Sequence, residues 1–246
     1  MDFDTEHLKD MMQTCKRFLE VGDFDVSKIP DYSDMSNKKF IKSIDKRLED
    51  TENDLFRMME EVNMEITFRS SLSDVYVNKE DEKHTILILF YPDETVDSKS
   101  LVKDGVKKFL NLMRLLNCRE GVLISEKNMA SAAKKEFDRC NMETTLSETY
   151  NVIFYNDENF INIIDHISHS KVIRVLRTAD EISQFEAENK IDVKKLPSIE
   201  KDDPLVKFYR AKIGNIFELE RPGLIDNLIT SKELTFSIVT AVQEIK

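Results

Sequence analysis

"DDPLVKFYRAKIGNIFELERP", residues 202–222, decides how the C-terminal part of this chain folds. Asp203 is a natural helix N-cap, because its carboxylate accepts hydrogen bonds from the free backbone donors of a helix start. Pro204 then falls at the first helical position, where proline is tolerated. Gly214 supplies a turn, and the alternating "NIFELE" predicts a strand that Pro222 should end, since proline has no amide donor. The segment therefore predicts a short helix, a tight turn and a strand.

The same segment carries an unusual group of cations. Lys207, Arg210, Lys212 and Arg221 lie close together in the sequence of a chain whose net charge is −11. These side chains form either a solvated basic face or a contact surface for acidic or carbonyl groups of another protein.

The middle of the chain alternates strands and helices. We predict strands at 84–91, 121–125 and 150–155, and helices at 99–117 and 128–139, with Asn128 as the cap of the second helix. This succession is typical of a small sheet with helices packed on it. No glycine-rich turn follows a predicted strand, so the sequence lacks the signature of a dinucleotide or phosphate-binding loop.

The first eighty residues are predicted to be more helical. A helix is expected at 4–20 and a long, charged one at 35–63, whose apolar residues recur every seven positions at Ile41, Leu48, Leu55 and Val62. The long helix is either packed on its own domain or projects as a coiled-coil partner. Loose alternation predicts strands over 64–72 and 73–77.

Beyond residue 170 the pattern favours strands again. We predict a strand at 171–176, a helix beginning at Thr178 in capping-box register with Glu181, an extended "KLPSI" and a half-buried final strand at 233–242. The residue pattern changes near 160–166, and we therefore divide the chain into domains of residues 1–163 and 164–246.

Composition narrows the function classes. The net negative charge of the chain restricts any nucleic-acid contact to a local surface. Cys15, Cys118 and Cys140 are too far apart for metal-ligand spacing and indicate buried thiols in a reducing compartment. The sequence contains no run of eighteen apolar residues, so it predicts no membrane span. The acidic N-terminus argues against secretory and mitochondrial targeting signals.

Residues 196–222, "LPSIEKDDPLVKFYRAKIGNIFELERP", resemble the C-terminal assembly domain of the fifth, shared subunit of eukaryotic RNA polymerases I, II and III, a family that has a counterpart in archaeal RNA polymerase. The matching positions are Leu196-Pro197, Asp203-Pro204, Phe208-Tyr209, Lys212, Gly214 and Arg221-Pro222. Residues 86–110 and 121–139 are similar to the core of the family's N-terminal jaw domain. The acidic, methionine- and asparagine-rich character would suit a version from a large DNA virus or a fast-evolving protist.

The resemblance implies an α/β jaw domain with a small sheet flanked by helices and a compact, mixed β/α assembly domain. It implies a non-catalytic polymerase subunit that needs no cofactor, the magnesium and zinc being held by other subunits. The assembly domain would dock on the largest subunit, and the chain would not be a homo-oligomer. The expected interface residues are Asp203, Pro204, Lys207, Tyr209, Arg210, Lys212, Gly214, Arg221 and Pro222. The compartment would be the nucleus for a cellular chain, and the viral factory, virion or host cytoplasm for a viral one.

The jaw domain would lie beside downstream duplex DNA. We expect phosphate-directed, sequence-independent contacts at the start of the helix predicted over 128–139, where a helix N-terminus favours negative charge. The candidate residues are Lys127, Asn128, Ser131, Lys134 and Lys135. The alternative is a plain solvated helix start.

Two other functions stay open at this point. A metal-dependent nuclease would need an acidic cluster at the strand ends, for which Asp93, Glu94 and Glu126 are the candidates. A free-standing adaptor would use the 35–63 helix as a coiled coil. His166 and His169 are spaced as a ligand pair but lack completing ligands, so hydrogen-bonded linker histidines are preferred.

Overall fold

The chain forms two compact units, Met1–Ile161 and Asn162–Lys246. The computed structural model describes residues 5–32, 34–50, 52–92, 100–142, 150–162, 171–225 and 228–241, with the side chains of 141, 142 and 222–233 left undescribed. Each unit contains its own four-stranded sheet with helices packed on it. This arrangement confirms the predicted two-domain α/β architecture. Within the described ranges, no helix has the length and apolar character needed to cross a bilayer.

The first unit is built on a mostly parallel sheet. Its order is β1-β2-β3-β4, in which β1 runs antiparallel to β2 and the other neighbours are parallel. The strand–helix succession predicted for the middle of the chain is confirmed. The elements are α1 (Thr5–Val21), α2 (Asn37–Leu48), α3 (Asp54–Glu61), a 3-10 turn (Ser70–Leu72), β1 (Asp74–Val77), β2 (Thr85–Phe90), α4 (Lys103–Leu115), β3 (Glu120–Ser125), α5 (Ser131–Met142), β4 (Asn151–Asn156) and α6 (Asp157–Ile161).

Helices cover this sheet on both faces. One face of β2 joins a core built with α3, α4 and α5, in which Leu89 packs with Phe109 and Phe137. Side chains of the opposite face meet α1, where Phe18 lies edge-on to Tyr155 with ring centroids 6.5 Å apart. Burial on both faces explains why β2 and β3 are continuous apolar runs in the sequence.

The prediction of one long helix over 35–63 is wrong, because α2 and α3 are separate helices. Asn53 caps α3, its side-chain oxygen accepting from the backbone amides of Leu55 and Phe56 at 3.1 and 3.3 Å. The heptad seam is therefore interrupted, and its first member Ile41 is 39% exposed whereas Leu55 is buried. The break removes the continuous seam on which the coiled-coil adaptor hypothesis depended.

The prediction of a strand over 64–72 is also wrong, since these residues form irregular backbone, a turn and a 3-10 turn. Ser70 Oγ accepts from the amide of Thr67 at 2.7 Å and donates to the carbonyl of Glu65 at 3.1 Å. Local hydroxyl-to-backbone bonds of this kind compete with a sheet ladder.

The second unit has the strand order β5-β7-β8-β6. The predicted capping box is confirmed, with Thr178 Oγ1 accepting from the amide of Glu181 at 3.2 Å and the Glu181 carboxylate accepting from the amide of Thr178 at 2.8 Å. The elements are β5 (Lys171–Leu176), α7 (Ala179–Asn189), a 3-10 turn (Val193–Lys195), β6 (Ser198–Glu200), α8 (Pro204–Phe208), β7 (Ile216–Ile225) and β8 (Leu228–Thr240).

Two small cores lie on the two faces of this second sheet. Phe236 and Ile238 of β8 pack toward Phe185 of α7, whereas Val239 packs with Leu205 of α8. The last part of β8 is therefore covered on both faces rather than half-buried as predicted. The helix α8 is only five residues long, so it covers only part of its face.

The prediction that Pro222 ends the strand is wrong, because β7 continues to Ile225. Pairing of β7 with β5 extends to Glu220, so along the described residues β7 has β8 alone as its neighbour at position 222. Proline is tolerated where a strand runs along a sheet edge, since no ladder bond need be lost there.

Candidate nucleic-acid and subunit interfaces

The turn that leads from β3 toward α5 is fixed by side chains of neighbouring strands. The Ser125 hydroxyl accepts from the amide of Lys127 at 3.2 Å. Asn156, at the end of β4, donates its side-chain amide to the carbonyl of Glu126 at 2.7 Å. These two bonds hold the backbone of the candidate DNA-contact segment at the carboxyl edge of the parallel sheet.

Asn128 does not cap α5, which corrects the prediction. Its carbonyl accepts from the amide of Leu101 at 3.0 Å, and Ala130 donates its amide back to the carbonyl of Leu101 at 3.0 Å. Met129 thereby forms a parallel bridge with Leu101. Residues 128–130 are extended by this pairing, so α5 begins only at Ser131.

Three of the predicted DNA-contact residues share one face of α5. Ser131, Lys134 and Lys135 are exposed and lie three and four positions apart, which places them side by side on the helix surface. Asn128 is exposed before the helix, and Lys127 is half-buried. Lys134 and Lys135 carry positive charges near the helix N-terminus, and the side chain of Ser131 beside them is small. This face is therefore suited to phosphate groups.

Beneath this segment lies a buried ion pair that was not predicted from the sequence. Arg69 is 1% exposed and donates Nη1 and Nη2 to the carboxylate of Asp157 at 2.7 and 2.5 Å. Its Nε donates to the carbonyl of Tyr91 at 2.9 Å. Because Tyr91 follows β2 and Asp157 follows β4, Arg69 ties two strand ends together. Glu126 also reaches this site, with its Oε1 3.9 Å from Arg69 Nη1.

This geometry bears on the nuclease hypothesis. Glu126, the one described member of its acidic set, faces the guanidinium of Arg69. Asp93 and Glu94 lie outside the described residues, as do His166 and His169. Across the described ranges, no three His, Cys, Asp or Glu side chains are grouped so that they could hold a metal ion. No specific observation therefore favours a metal-dependent nuclease.

In the second unit, the predicted helix start at 203–204 is confirmed. The Asp203 carboxylate accepts from the amide of Leu205 at 2.8 Å, and Pro204 is the first residue of α8. Leu205 and Phe208 are buried, so α8 is anchored on the sheet by its apolar side. Tyr209 lies edge-on to Phe217 with ring centroids 5.8 Å apart. Burial raises the pKa of Tyr209, which keeps its hydroxyl neutral.

The tight turn predicted at Gly214 follows α8, and two residues that were not predicted, Arg177 and Asn215, help to hold it. Gly214 has a φ of 92°, and its amide donates to the carbonyl of Val239 at 2.9 Å. Asn215 accepts from the amide of Lys212 at 2.7 Å. Arg177 donates Nη2 to the carbonyl of Tyr209 at 2.7 Å, where a cation is favourable because helix carbonyls are unsatisfied.

The structure separates the four predicted cations into two groups. Lys207, Arg210 and Lys212 belong to α8 and its following turn. Arg221 is five residues beyond Ile216 along β7, a distance of roughly 17 Å at about 3.3 Å per residue. Arg221 and Lys212 are exposed, whereas Lys207, Tyr209 and Arg210 are half-buried.

An exposed apolar side chain lies beside the first group. Ile213 is 59% exposed at the tip of the turn, directly between Lys212 and Gly214. It was not among the predicted interface residues. The sequence feature that could have identified Ile213 is its position next to a turn glycine, where a polar residue would be expected.

Comparison with known proteins gives a family for this second unit. Residues 161–228 match the family model described as RNA polymerase Rpb5, C-terminal domain. This part of the chain is similar to the Rpb5 C-terminal domain.

Relatives of this Rpb5-like chain extend the similarity. The chain is 23% identical over 156 residues to the DNA-directed RNA polymerases I, II and III subunit rpabc1 of Dictyostelium discoideum, covering 63% of this chain and 74% of that protein. It is 21% identical over 155 residues to the corresponding RPABC1 subunits of Caenorhabditis briggsae and Caenorhabditis elegans, covering 63% of this chain and 68% of each. The resemblance noted in the sequence is confirmed.

Proposed function

We propose that this chain is a non-catalytic subunit of a multisubunit DNA-directed RNA polymerase. The observation that carries the proposal is the Rpb5 C-terminal domain at 161–228, which coincides with most of the second folded unit. The named relatives are shared polymerase subunits, and their similarity covers 63% of this chain.

The second unit is the proposed assembly domain that docks on the largest polymerase subunit. Its α8–β7 turn presents the exposed side chains of Lys212 and Ile213 on a backbone held by Arg177 and Asn215. An apolar side chain flanked by a cation, on a rigid support, is a favourable anchor for a protein interface because little conformational entropy is lost on binding. Arg221, five residues beyond Ile216 along β7, would widen the contact.

The first unit is the proposed jaw domain beside downstream DNA. Ser131, Lys134 and Lys135 form an exposed face at the start of α5, and such a face binds phosphates without reading sequence. The chain carries a net charge of −11, so this local surface would act together with basic surfaces of other subunits. The magnesium used for RNA synthesis, and any zinc, would be held by other subunits.

The compartment would follow from the polymerase that contains the subunit. A cellular chain would work in the nucleus, and a viral one in the viral factory, the virion or the host cytoplasm. The named relatives are subunits of eukaryotic polymerases, which favours the nucleus.

A pull-down of the tagged, full-length chain from its native source tests the proposal. We expect the largest co-purifying protein to be the largest subunit of an RNA polymerase, and the eluate to synthesise RNA on a DNA template. Recovery of the chain without polymerase subunits would contradict the proposal. So would nucleic-acid hydrolysis by the purified chain alone.

A further inference from the structure

A cleft of about 200 Å³ lies between α4 and α5 on the first unit. Its lining comes from both helices and consists of Lys107, Leu110, Asn111, Arg114, Glu136, Arg139 and Cys140. Leu110 and Cys140 are buried and form an apolar floor. The cleft lies outside the proposed DNA-contact and docking residues.

The rim of the cleft is strongly cationic. Lys107 and Arg114 are exposed on α4, and the side chain of Arg139 on α5 is 59% exposed. Lys103, at the start of α4, adds a fourth cation through its contact with Glu136 at 3.0 Å. Three of these cations, Lys103, Lys107 and Arg139, lie around the Glu136 carboxylate, which stands out in a chain with a net charge of −11.

Glu136 positions part of this rim and offsets one of its positive charges. Its carboxylate contacts Lys103 at 3.0 Å and Arg139 at 2.7 Å, with only 11% of its side chain exposed. The hydrogen bond from Lys103 and the nearby charges of Arg139 and Lys107 lower the pKa of Glu136. The carboxylate therefore stays ionised and positions Lys103 and Arg139 at the rim.

We propose that the α4–α5 cleft binds an acidic peptide segment of a partner protein that inserts one apolar side chain between the two helices. The carboxylates of such a segment would pair with Arg114 and Arg139, since arginine binds carboxylates in a bidentate manner. The apolar side chain would cover Leu110 and Cys140.

The shape of the cleft favours a peptide over other ligands. Small-molecule sites usually enclose roughly 300–1,000 Å³, more than this cleft offers. A DNA duplex is convex and would contact only the rim, leaving the apolar floor uncovered. A peptide with one apolar side chain between acidic residues fits both parts of the cleft, because the apolar side chain covers the floor and the carboxylates meet the cationic rim. Surfaces that contain arginine recognise acidic motifs in other proteins as well.

Fluorescence anisotropy with the purified full-length chain tests this proposal. The probe is a fluorescein-labelled decapeptide of aspartates and glutamates with one central phenylalanine, and its partner probe has serine in place of phenylalanine. We expect saturable binding of the first probe at low salt. The serine probe and the Arg114→Glu/Arg139→Glu variant should each weaken that binding about tenfold or more, because one loses the apolar anchor and the other the charge pairing.

A matched variant separates the cleft from overall charge. Arg17→Glu/Arg119→Glu makes the same charge change at two exposed arginines outside the cleft, and it should leave peptide binding nearly unchanged. Equal weakening by both variants, or equal affinity for both probes, would overturn the proposal. If the cleft variant instead weakens binding of a short DNA duplex and not of the peptide, the cleft is a nucleic-acid surface and the proposal fails. The outcome is independent of polymerase membership, which the pull-down tests.

Discussion

Arg69 and Asp157 form a buried, doubly hydrogen-bonded ion pair although 88 residues separate them in the sequence. The pair joins the 3-10 turn before β1 to the first residue of α6. Through the carbonyl of Tyr91 it also reaches the end of β2. It therefore closes the carboxyl edge of the parallel sheet, directly below the turn that leads to α5.

We expect Arg69→Met to destabilise the chain by about 3–5 kcal/mol, because it removes the doubly hydrogen-bonded partner of the buried Asp157 carboxylate and leaves it the longer contact with His7 Nε2 at 3.5 Å. The double variant Arg69→Met/Asp157→Leu should recover much of that loss, since it removes both charges. Urea unfolding followed by circular dichroism measures both values. A loss below about 1 kcal/mol for Arg69→Met would show that the pair is not a structural tie.

The elements that could be predicted from the sequence are those with strong local signals. Buried strands such as 84–91, the capping box at Thr178 and the Asp203-Pro204 helix start each encode their structure within a few residues. The 35–63 helix was wrong because the heptad spacing continued across Asn53, whose side chain begins a new helix. Periodicity and capping gave conflicting signals there, and capping prevailed.

The candidate sites were less predictable because long-range contacts position them. Asn128 is a good cap by type, yet pairing with Leu101 holds its backbone extended. Arg221 is close to Lys212 in the sequence, but an extended strand separates them. The partner of Arg69 lies 88 residues away, and no local pattern specifies it.

The proposed DNA surface predicts a specific salt dependence. Lys134→Ala/Lys135→Ala should weaken binding of the assembled polymerase to downstream duplex DNA and reduce the slope of log affinity against log salt by roughly 1–2, because each lost phosphate contact contributes about 0.9. The affected binding should not depend on DNA sequence. Filter binding or anisotropy over a range of salt concentrations measures the slope.

The control for that experiment is Lys38→Ala/Lys39→Ala, an exposed lysine pair on α2. It removes the same charge from the same unit and should leave the slope unchanged. If both variants lower the slope equally, the effect comes from the overall charge of the unit and α5 is a plain solvated helix start.

The proposed docking surface predicts that Ile213→Asp lowers incorporation into the polymerase while the isolated chain stays folded. The side chain is 59% exposed, so an aspartate meets water in the free chain but would be desolvated in the interface. Lys212→Ala/Arg221→Ala should also weaken incorporation. Ile173→Asp, at an isoleucine of β5 that is 43% exposed, serves as the matched control. Normal assembly of both the Ile213 and the Lys212/Arg221 variants would place the docking surface elsewhere.

The capping box of α7 predicts an acid-sensitive contribution to stability. Backbone amides of Thr178 and Arg177 donate to the Glu181 carboxylate and lower its pKa below the ordinary value of 4.5. A lowered folded-state pKa means that the stabilisation is present above the unfolded-state pKa and is lost as the pH falls through the folded-state pKa. Glu181→Gln should therefore have a lower melting temperature than wild type at neutral pH, and the difference should shrink as the pH is lowered through about 4. Glu188→Gln, on the same helix, is the control, because its carboxylate accepts from the Gln184 side chain rather than from backbone amides. A melting-temperature difference for Glu181→Gln that stays constant from neutral to acidic pH would show that the carboxylate charge does not contribute to this cap.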